Sequence, residues 1–292
     1  MSNRDKVAVC EALSGRFPLG LLLECLSLSR SSRHYVLTHE AHVSRPDLHG
    51  QVREIFHGPG PNGCGHRQVW MQLRERGERV TRKTVLKIMG VLGLRCTIRR
   101  ARHGRYDSYR GDLGGVCPDL VRRDFHAAAP FVKLGTDVTE FKQPWGKAYL
   151  APVVDWCTKR IVAYSISRHP DWAQQADLLA GLADALPAGA VPLLHSDQGW
   201  QYQQPAWARA CARMGIVRSM SRKGNCLDNA ATEQVFGHLK DEFFRGRQWA
   251  DYESFKRDLE GYIRYWNSTR CQAAVGGMSP DRYEQALLAL AG

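Results

Sequence analysis

Apolar runs separated by turn residues mark three strands in the middle of the chain, at Phe131–Asp137, Ala148–Asp155 and Ile161–Ser167. The turn "WCTK" between the last two is short enough to impose an antiparallel hairpin. The pattern then alternates: a helix over Trp172–Leu186, an apolar strand at Val191–Leu194, a helix over Pro205–Met214 and a short strand at Ile216–Met220. Helices opening at "DNAATEQVFGHLK" and spanning Tyr252–Trp266 follow. A meander followed by alternating helices and strands predicts an α/β mixed sheet flanked by helices over residues 129–292. Its antiparallel start argues against a simple doubly wound sheet.

The N-terminal part reads as small all-α segments. Leu19–Leu26 is helical in pattern, and Ser29 is placed to cap a second short helix bearing Arg30, Arg33 and His34. Over residues 1–45 this fits a helix-turn-helix, and it fits a plain helical hairpin equally well. Residues 46–105 carry helices at Leu48–His57 and His66–Arg76, split by the breaker run "GPGPNGCG". A third is capped by Thr81, puts Val85, Ile88 and Leu92 at core spacing and stops at Gly93. Arg82, Lys83 and Lys87 stay on its solvent side, as in a helix-turn-helix-like DNA-binding module or a merely solvated basic face. Residues 106–128 read as a polar linker.

Charge changes this picture. Residues 1–130 hold 22 Lys/Arg against 12 Asp/Glu, whereas residues 131–292 hold 19 against 17. A basic arm joined to a nearly neutral domain suggests a polyanionic partner, with DNA the first choice. The nine cysteines include no Cys-x-x-Cys pair, which fits reduced cytoplasmic thiols better than a disulfide framework. His57, Cys64 and His66 match no common zinc spacing. The apolar run at Phe17–Leu28 is interrupted by Glu24 and is too short to span a bilayer, so no membrane association is expected.

Three acids occupy positions where layered sheets present chemistry. Asp137 ends the first strand, Asp197 stands just after a buried later strand, and Glu233 lies on the "DNAATEQ" helix with 35 residues between it and Asp197. Three unpaired carboxylates at one sheet edge repel, and a divalent cation relieves the repulsion; all-oxygen donors favour Mg²⁺ or Mn²⁺. Asp155 leads into a tight turn and reads as structural, and Glu140 and Glu242 are rival acids that fit less well. On the third-acid helix, Asp228 is placed to cap, and Val235 and Leu239 share one side at about 100° per residue. Glu233, Gly237 and Lys240 form a stripe on the other side.

The stretches "TDVTEF", "HSDQGWQY" and "SRKGNCLDNAATEQVFGHLKDE" resemble the three acidic motifs of integrase-type DDE transposases. They are most similar to the second-frame product of the insertion-sequence family read from two overlapping frames, the IS-three family. Lys240, seven residues after Glu233, and the ending "YIRYWNSTRCQAAVGGMSP" belong to the same resemblance. Leu134 departs from it where a Trp usually precedes the first Asp, as do Glu140, where an aromatic residue is common, and "CGHRQV" in the middle segment.

The resemblance implies an RNase H-like catalytic domain that cleaves and transfers DNA strands, with Asp137, Asp197 and Glu233 as catalytic and metal-binding acids for two Mg²⁺ or Mn²⁺ ions. It implies that Lys240 contacts a phosphate beside the scissile one, and that Arg222 and Lys223 lie in a loop that closes on DNA. His195 is expected either to orient Asp197 or to serve as a buried structural histidine. Expected partners are insertion-sequence ends and target DNA, further copies of the chain, and the upstream-frame product, which a short N-terminal opening would require. A DNA-binding regulator would have no need of the three acids, and an RNase H-type nuclease acting on RNA no need of the helical segments.

Overall fold

The computed structural model describes residues 1–39, 45–58, 60, 62–97, 115–222 and 230–291. Three helices open the chain: α1 (Asn3–Leu13), α2 (Leu19–Cys25) and α3 (Arg30–Thr38). They close on Val7, Cys10, Leu22, Leu23 and Leu28. The Ser29 hydroxyl accepts from the Ser32 N–H and so caps α3 as expected. The sequence pattern had not shown α1, which begins with a capping box between Ser2 and Asp5.

Helices α4 (His49–His57), α5 (His66–Glu75) and α6 (Arg82–Val91) form the second module. Val52, Ile55, Phe56, Val69, Leu73, Val85 and Ile88 fill its core. Thr81 caps α6 through the Thr84 N–H. Gly77 and Gly93 end α5 and α6 with positive φ, the backbone state that glycine adopts without steric cost.

A six-stranded sheet follows: β1 (Lys133–Thr136), β2 (Thr139–Gln143), β3 (Gly146–Asp155), β4 (Ile161–Ser167), β5 (Leu193–Ser196) and β6 (Val217–Met220). β1 and β2 lie on the same edge of β3 in one continuous antiparallel register, Thr136 opposite Val153 and Thr139 opposite Leu150. β4 pairs with the other edge of β3, while β5 is parallel to β1 and β6 parallel to β5. The order across the sheet is therefore β4, β3, β1 with β2, β5, β6. β5 begins two residues later than its apolar pattern suggested, because Val191 is exposed and Leu194 is the inward residue.

Helices cover both faces. Against one face, α7 (Trp172–Ala185) and α8 (Pro205–Arg213) pack Leu178, Leu182 and Trp207 on Leu134, Val153 and Leu194. Against the other, α9 (Ala230–Leu239) and α10 (Tyr252–Ser268) pack Val235, Leu239, Phe255 and Trp266 on Phe141, Leu150 and Val154. β3 is buried from Leu150 to Asp155 because both layers press on it. A five-residue π-helical segment, Lys240–Phe244, continues α9, and α11 (Pro280–Ala291) ends the chain.

The helical module docks on this C-terminal layer. The Asn62 amide donates to the carbonyls of Asp241 (3.0 Å) and Arg245 (2.7 Å). Gln72 donates to the Tyr265 hydroxyl, and Glu75 accepts from the Cys271 thiol. Residues 115–128, within the stretch expected to be a linker, lie along the sheet edge, with Leu120 N–H on the Ser219 hydroxyl and Met220 N–H on the Pro118 carbonyl. No helix among the described residues is long and apolar enough to cross a membrane.

Candidate active site

β1 and β5 are parallel neighbours with Gly135 opposite His195. Carrying that register on by two residues sets Asp137 beside Asp197, each on the first residue after its strand. The chain leaves the ladder at this point for a local reason. Pro152 stands opposite Asp137 in the β1–β2 register and has no N–H to give, so the pairing opens between β1 and β2. The Thr136 hydroxyl closes the gap by donating to the Pro152 carbonyl at 2.9 Å.

Short backbone contacts fix both acids. The Val138 N–H donates to Asp137 Oδ1 (2.7 Å) and the Gly199 N–H to Asp197 Oδ1 (2.8 Å). A Cβ on Gly199 would crowd Asp197 Oδ1 and the Gln201 amide, so those side-chain ends would have to shift to admit one. Burial pushes the Asp137 carboxyl well above the usual carboxylate range, and the negative charges of Asp197 and Glu233 push it further. The Val138 N–H and Lys240 act in the opposite direction. Burial also raises Asp197, against the Gly199 N–H. Tyr202 is buried beside the two aspartates, and its hydroxyl is raised well above the phenol range by burial and by their charge.

Glu233 approaches from α9. Val235 and Leu239 are buried against the sheet, as the stripe required, while Glu233 is exposed and Gly237 and Lys240 are half-buried. A Cβ on Gly237 would meet nothing within 4 Å. α9 reaches the acids through a close approach at Gly135, where a Cβ would strike the Thr232 hydroxyl and the Trp156 indole. Burial lowers the Lys240 ammonium pKa, while the charges of Asp137 and Glu140 oppose that shift. The α-helical spacing holds through Leu239, and Lys240 is the first residue of the π-helical segment rather than part of a continuing α-helix.

The rival acids have other partners. Glu140, in β2, accepts from Lys147 and from the Tyr149 hydroxyl at 2.9 Å each. Glu242 is buried in an ion pair with Arg270. Asp155 accepts from the N–H groups of Phe131, Cys157 and Thr158, and so builds the turn. His195 is fully buried between β5 and β6, its Nδ1 sharing a hydrogen bond with the Ser219 hydroxyl at 2.9 Å. Arg222 is exposed after β6, and Lys223, Gly224 and Asp228 fall outside the described residues.

On α6, Arg82, Lys83 and Lys87 are exposed, with the Arg82 guanidinium 4.4 Å from the centroid of the Trp70 ring. Among the described residues, no group of three or more His, Cys, Asp or Glu side chains stands close enough to hold a metal ion. Asn62, Thr232, Trp156 and Tyr202 were not singled out from the sequence. Only Gly135, an isolated glycine within a strand, carried a signal of the close approach.

The family models that match the chain agree with this architecture. Two integrase core domain models match residues 127–226 and 233–288, and an HTH-like domain model matches 45–102. The protein InsK of insertion sequence element IS150 in Escherichia coli (strain K12) is 37% identical over 271 residues, covering 91% of this chain and 93% of that one. The chain belongs to the IS3 family of insertion-sequence transposases. The transposase InsF of insertion sequence IS3A, also from Escherichia coli (strain K12), is 30% identical over 219 residues and 75% of each chain. The IS1353 relative from Shigella flexneri is 37% identical over 98% of this family member, which spans 56% of that longer protein. Among solved structures, the HTLV-2 integrase catalytic core domain in complex with magnesium aligns with a TM-score of 0.39 and 14% identity, over 55% of this IS3-family chain and 99% of that one.

Proposed function

We propose that this IS3-family chain cleaves and joins DNA at the ends of an insertion sequence, with Asp137, Asp197 and Glu233 as its catalytic acids. The observation that carries the reading is the register that sets Asp137 beside Asp197 on parallel strands, with the charge of Glu233 on α9 adding to the upward push on the Asp137 carboxyl. Carboxylate oxygens are hard donors, and a buried acid raised by two others calls for a cation; Mg²⁺ or Mn²⁺ suits that donor set. The three acids are not gathered closely enough here to enclose an ion. Asp137 and Asp197, with Glu233 drawn in from α9, would hold two such ions, which when bound would stabilise charge on phosphoryl, attacking and leaving oxygens.

The chain's own residues orient the reaction. The Val138 and Gly199 N–H groups hold the two aspartates, and His195 fixes β5 two residues before Asp197. Lys240 binds a phosphate beside the scissile one. Hydrolysis frees a 3′-OH, and that hydroxyl then displaces the leaving oxygen at a second phosphodiester, so no covalent protein–DNA bond is needed. Arg82, Lys83 and Lys87 on α6 hold DNA away from the cut, while Arg222 and Lys223 approach it after β6. Self-association on paired ends and union with the upstream-frame product belong to the same reading.

The test incubates protein, Mg²⁺ and DNA carrying the element's ends. Wild-type protein cleaves at the 3′ ends and joins them to target DNA; Asp137→Asn, Asp197→Asn and Glu233→Gln bind but do not cleave. Normal cleavage by any pure variant of the three overturns the assignment.

A further inference from the structure

Beyond Lys240, away from the acids, an open groove of about 600 Å³ lies between the β2–β3 turn and the loop after the π-helical segment. Lys142, Gln143 and Pro144 form one wall, and Lys240, Arg245 and Arg247 are among the residues of the other. Phe244 lines the groove half-buried, its ring nearly parallel to that of Trp249 with centroids 5.9 Å apart. Arg247 is held by Asp258 at 3.1 Å and stacks over Phe243 and Trp249, so it serves as wall. Lys142 is the outer cation, its side chain 77% exposed and 3.6 Å from Glu140. Arg245 pairs with Asp241 at 2.8 Å, and its side chain is 44% exposed. Asn62 fixes the loop by donating to the Arg245 carbonyl.

We propose that this groove takes an unpaired nucleotide of the DNA strand adjoining the scissile phosphate, with its phosphate on Lys142 and Arg245 and its base against Phe244. The inference rests on the proposed strand cleavage, because a strand held at the acids and at Lys240 continues into this groove. Cations beside an aromatic face are the parts that single-stranded nucleic acid uses: charge tracks the backbone, and any base stacks. A base paired and stacked within a duplex has no free face to lay against Phe244, so the ring can take only an unpaired base.

The test uses the full chain and element-end duplexes carrying 2-aminopurine beside the scissile phosphate, either paired or in an unpaired extension. The Asp137→Asn protein holds the DNA uncut. On binding, the unpaired probe is quenched and the paired probe is quenched less. Phe244→Leu restores its fluorescence and weakens binding of the extended DNA by about fivefold or more. Lys142→Ala lowers the salt dependence of binding by about 0.7 in log–log slope. Should Phe244→Leu fold poorly, Lys142→Ala and Arg245→Gln carry the same test. Unquenched probe together with unchanged slopes, in a wild-type protein that still cleaves, overturns the groove and leaves the proposed chemistry standing. A wild-type protein that binds but does not cleave, with the quench and slope changes present, keeps the groove and overturns the chemistry. Failure of wild type to bind the ends overturns both.

Discussion

Glu242 and Arg270 form a buried ion pair, Oε1 to Nη2 2.6 Å, with Glu242 in the π-helical segment that opens at Lys240 just after α9. Arg270 Nε and the Tyr262 hydroxyl both reach Glu242 Oε2 at 2.8 Å, so each carboxylate oxygen is bonded. Despite burial, which raises it, the guanidinium holds the Glu242 carboxyl down at about 2 against an ordinary 4.5. A depressed folded-state value means stability that is present above the ordinary value and lost as pH falls toward the depressed one. The pair therefore contributes about 3 kcal/mol at neutral pH that disappears between about pH 4.5 and about pH 2. Arg270→Met strands the carboxylate and costs about 3–5 kcal/mol. Urea denaturation across pH checks both: the variant loses stability at neutral pH and shows a flatter acid limb than wild type. Parallel acid limbs would contradict the pairing.

Gly135 determines how closely α9 can approach the acids. An added Cβ meets the Thr232 hydroxyl and the Trp156 indole at distances real Cβ atoms do not show, so one of the three must move. Gly135→Ala is expected to cost about 1–3 kcal/mol as overpacking. The displaced α9 carries Glu233 with it, and cleavage falls about a hundredfold. Adding Thr232→Ala relieves one of the two collisions and restores part of both losses. Melting temperature and strand cleavage, measured on the single and double variants, decide it; an unaltered cleavage rate in Gly135→Ala would show that the approach does not set the position of Glu233.

Much of this arrangement was legible in the sequence. Ser29 and Thr81 cap the helices expected of them, "WCTK" makes the hairpin turn, and Val235 and Leu239 anchor the polar stripe. These features depend on local chemistry or on one helix's period. What stayed hidden depends on partners far along the chain. The opening of the ladder at Asp137 needs Pro152 on the facing strand, and β2 after it is recognisable only once β3 supplies the pairing. Within the ending "YIRYWNSTR", Asn267 and Arg270 hold the fold together through distant partners. Asn267 hydrogen-bonds both the N–H and the carbonyl of Ile161, and Arg270 neutralises Glu242. The π-helical turn at Lys240 has no periodic signature and accompanies that ion pair and the two bonds from Asn62.

Substitution at Gly237 tests the proposed DNA path separately from folding. Its added methyl meets nothing within 4 Å in the protein, and alanine favours a helix over glycine by about 0.5–1 kcal/mol. Gly237→Ala is therefore expected to raise the melting temperature slightly. On the stripe between Glu233 and Lys240, the same methyl takes space that a DNA backbone would use, and cleavage should drop by about tenfold or more. A more stable protein with lowered DNA affinity fits this account; unchanged affinity and cleavage would show that the strand passes elsewhere.

Asp137, finally, should make the metal-free protein less stable than it could be. It is raised by burial and by the charges of Asp197 and Glu233, so its ionised form is disfavoured in the fold. Below its ordinary value of 3.8 the acid is protonated whether folded or not, and the penalty appears as pH rises toward the raised folded value. Asp137→Asn removes that repulsion, and if about 1 kcal/mol is recovered the melting temperature near neutral pH rises by roughly 2–4 °C. Divalent ions relieve the same repulsion by binding. Mg²⁺ should then raise the wild-type melting temperature in proportion to ln(1 + [L]/Kd) and leave the variant nearly unmoved. Thermal melts of both proteins with and without Mg²⁺, in the absence of DNA, isolate this effect from catalysis. An equal Mg²⁺ response in the two proteins would place the ion somewhere other than at Asp137.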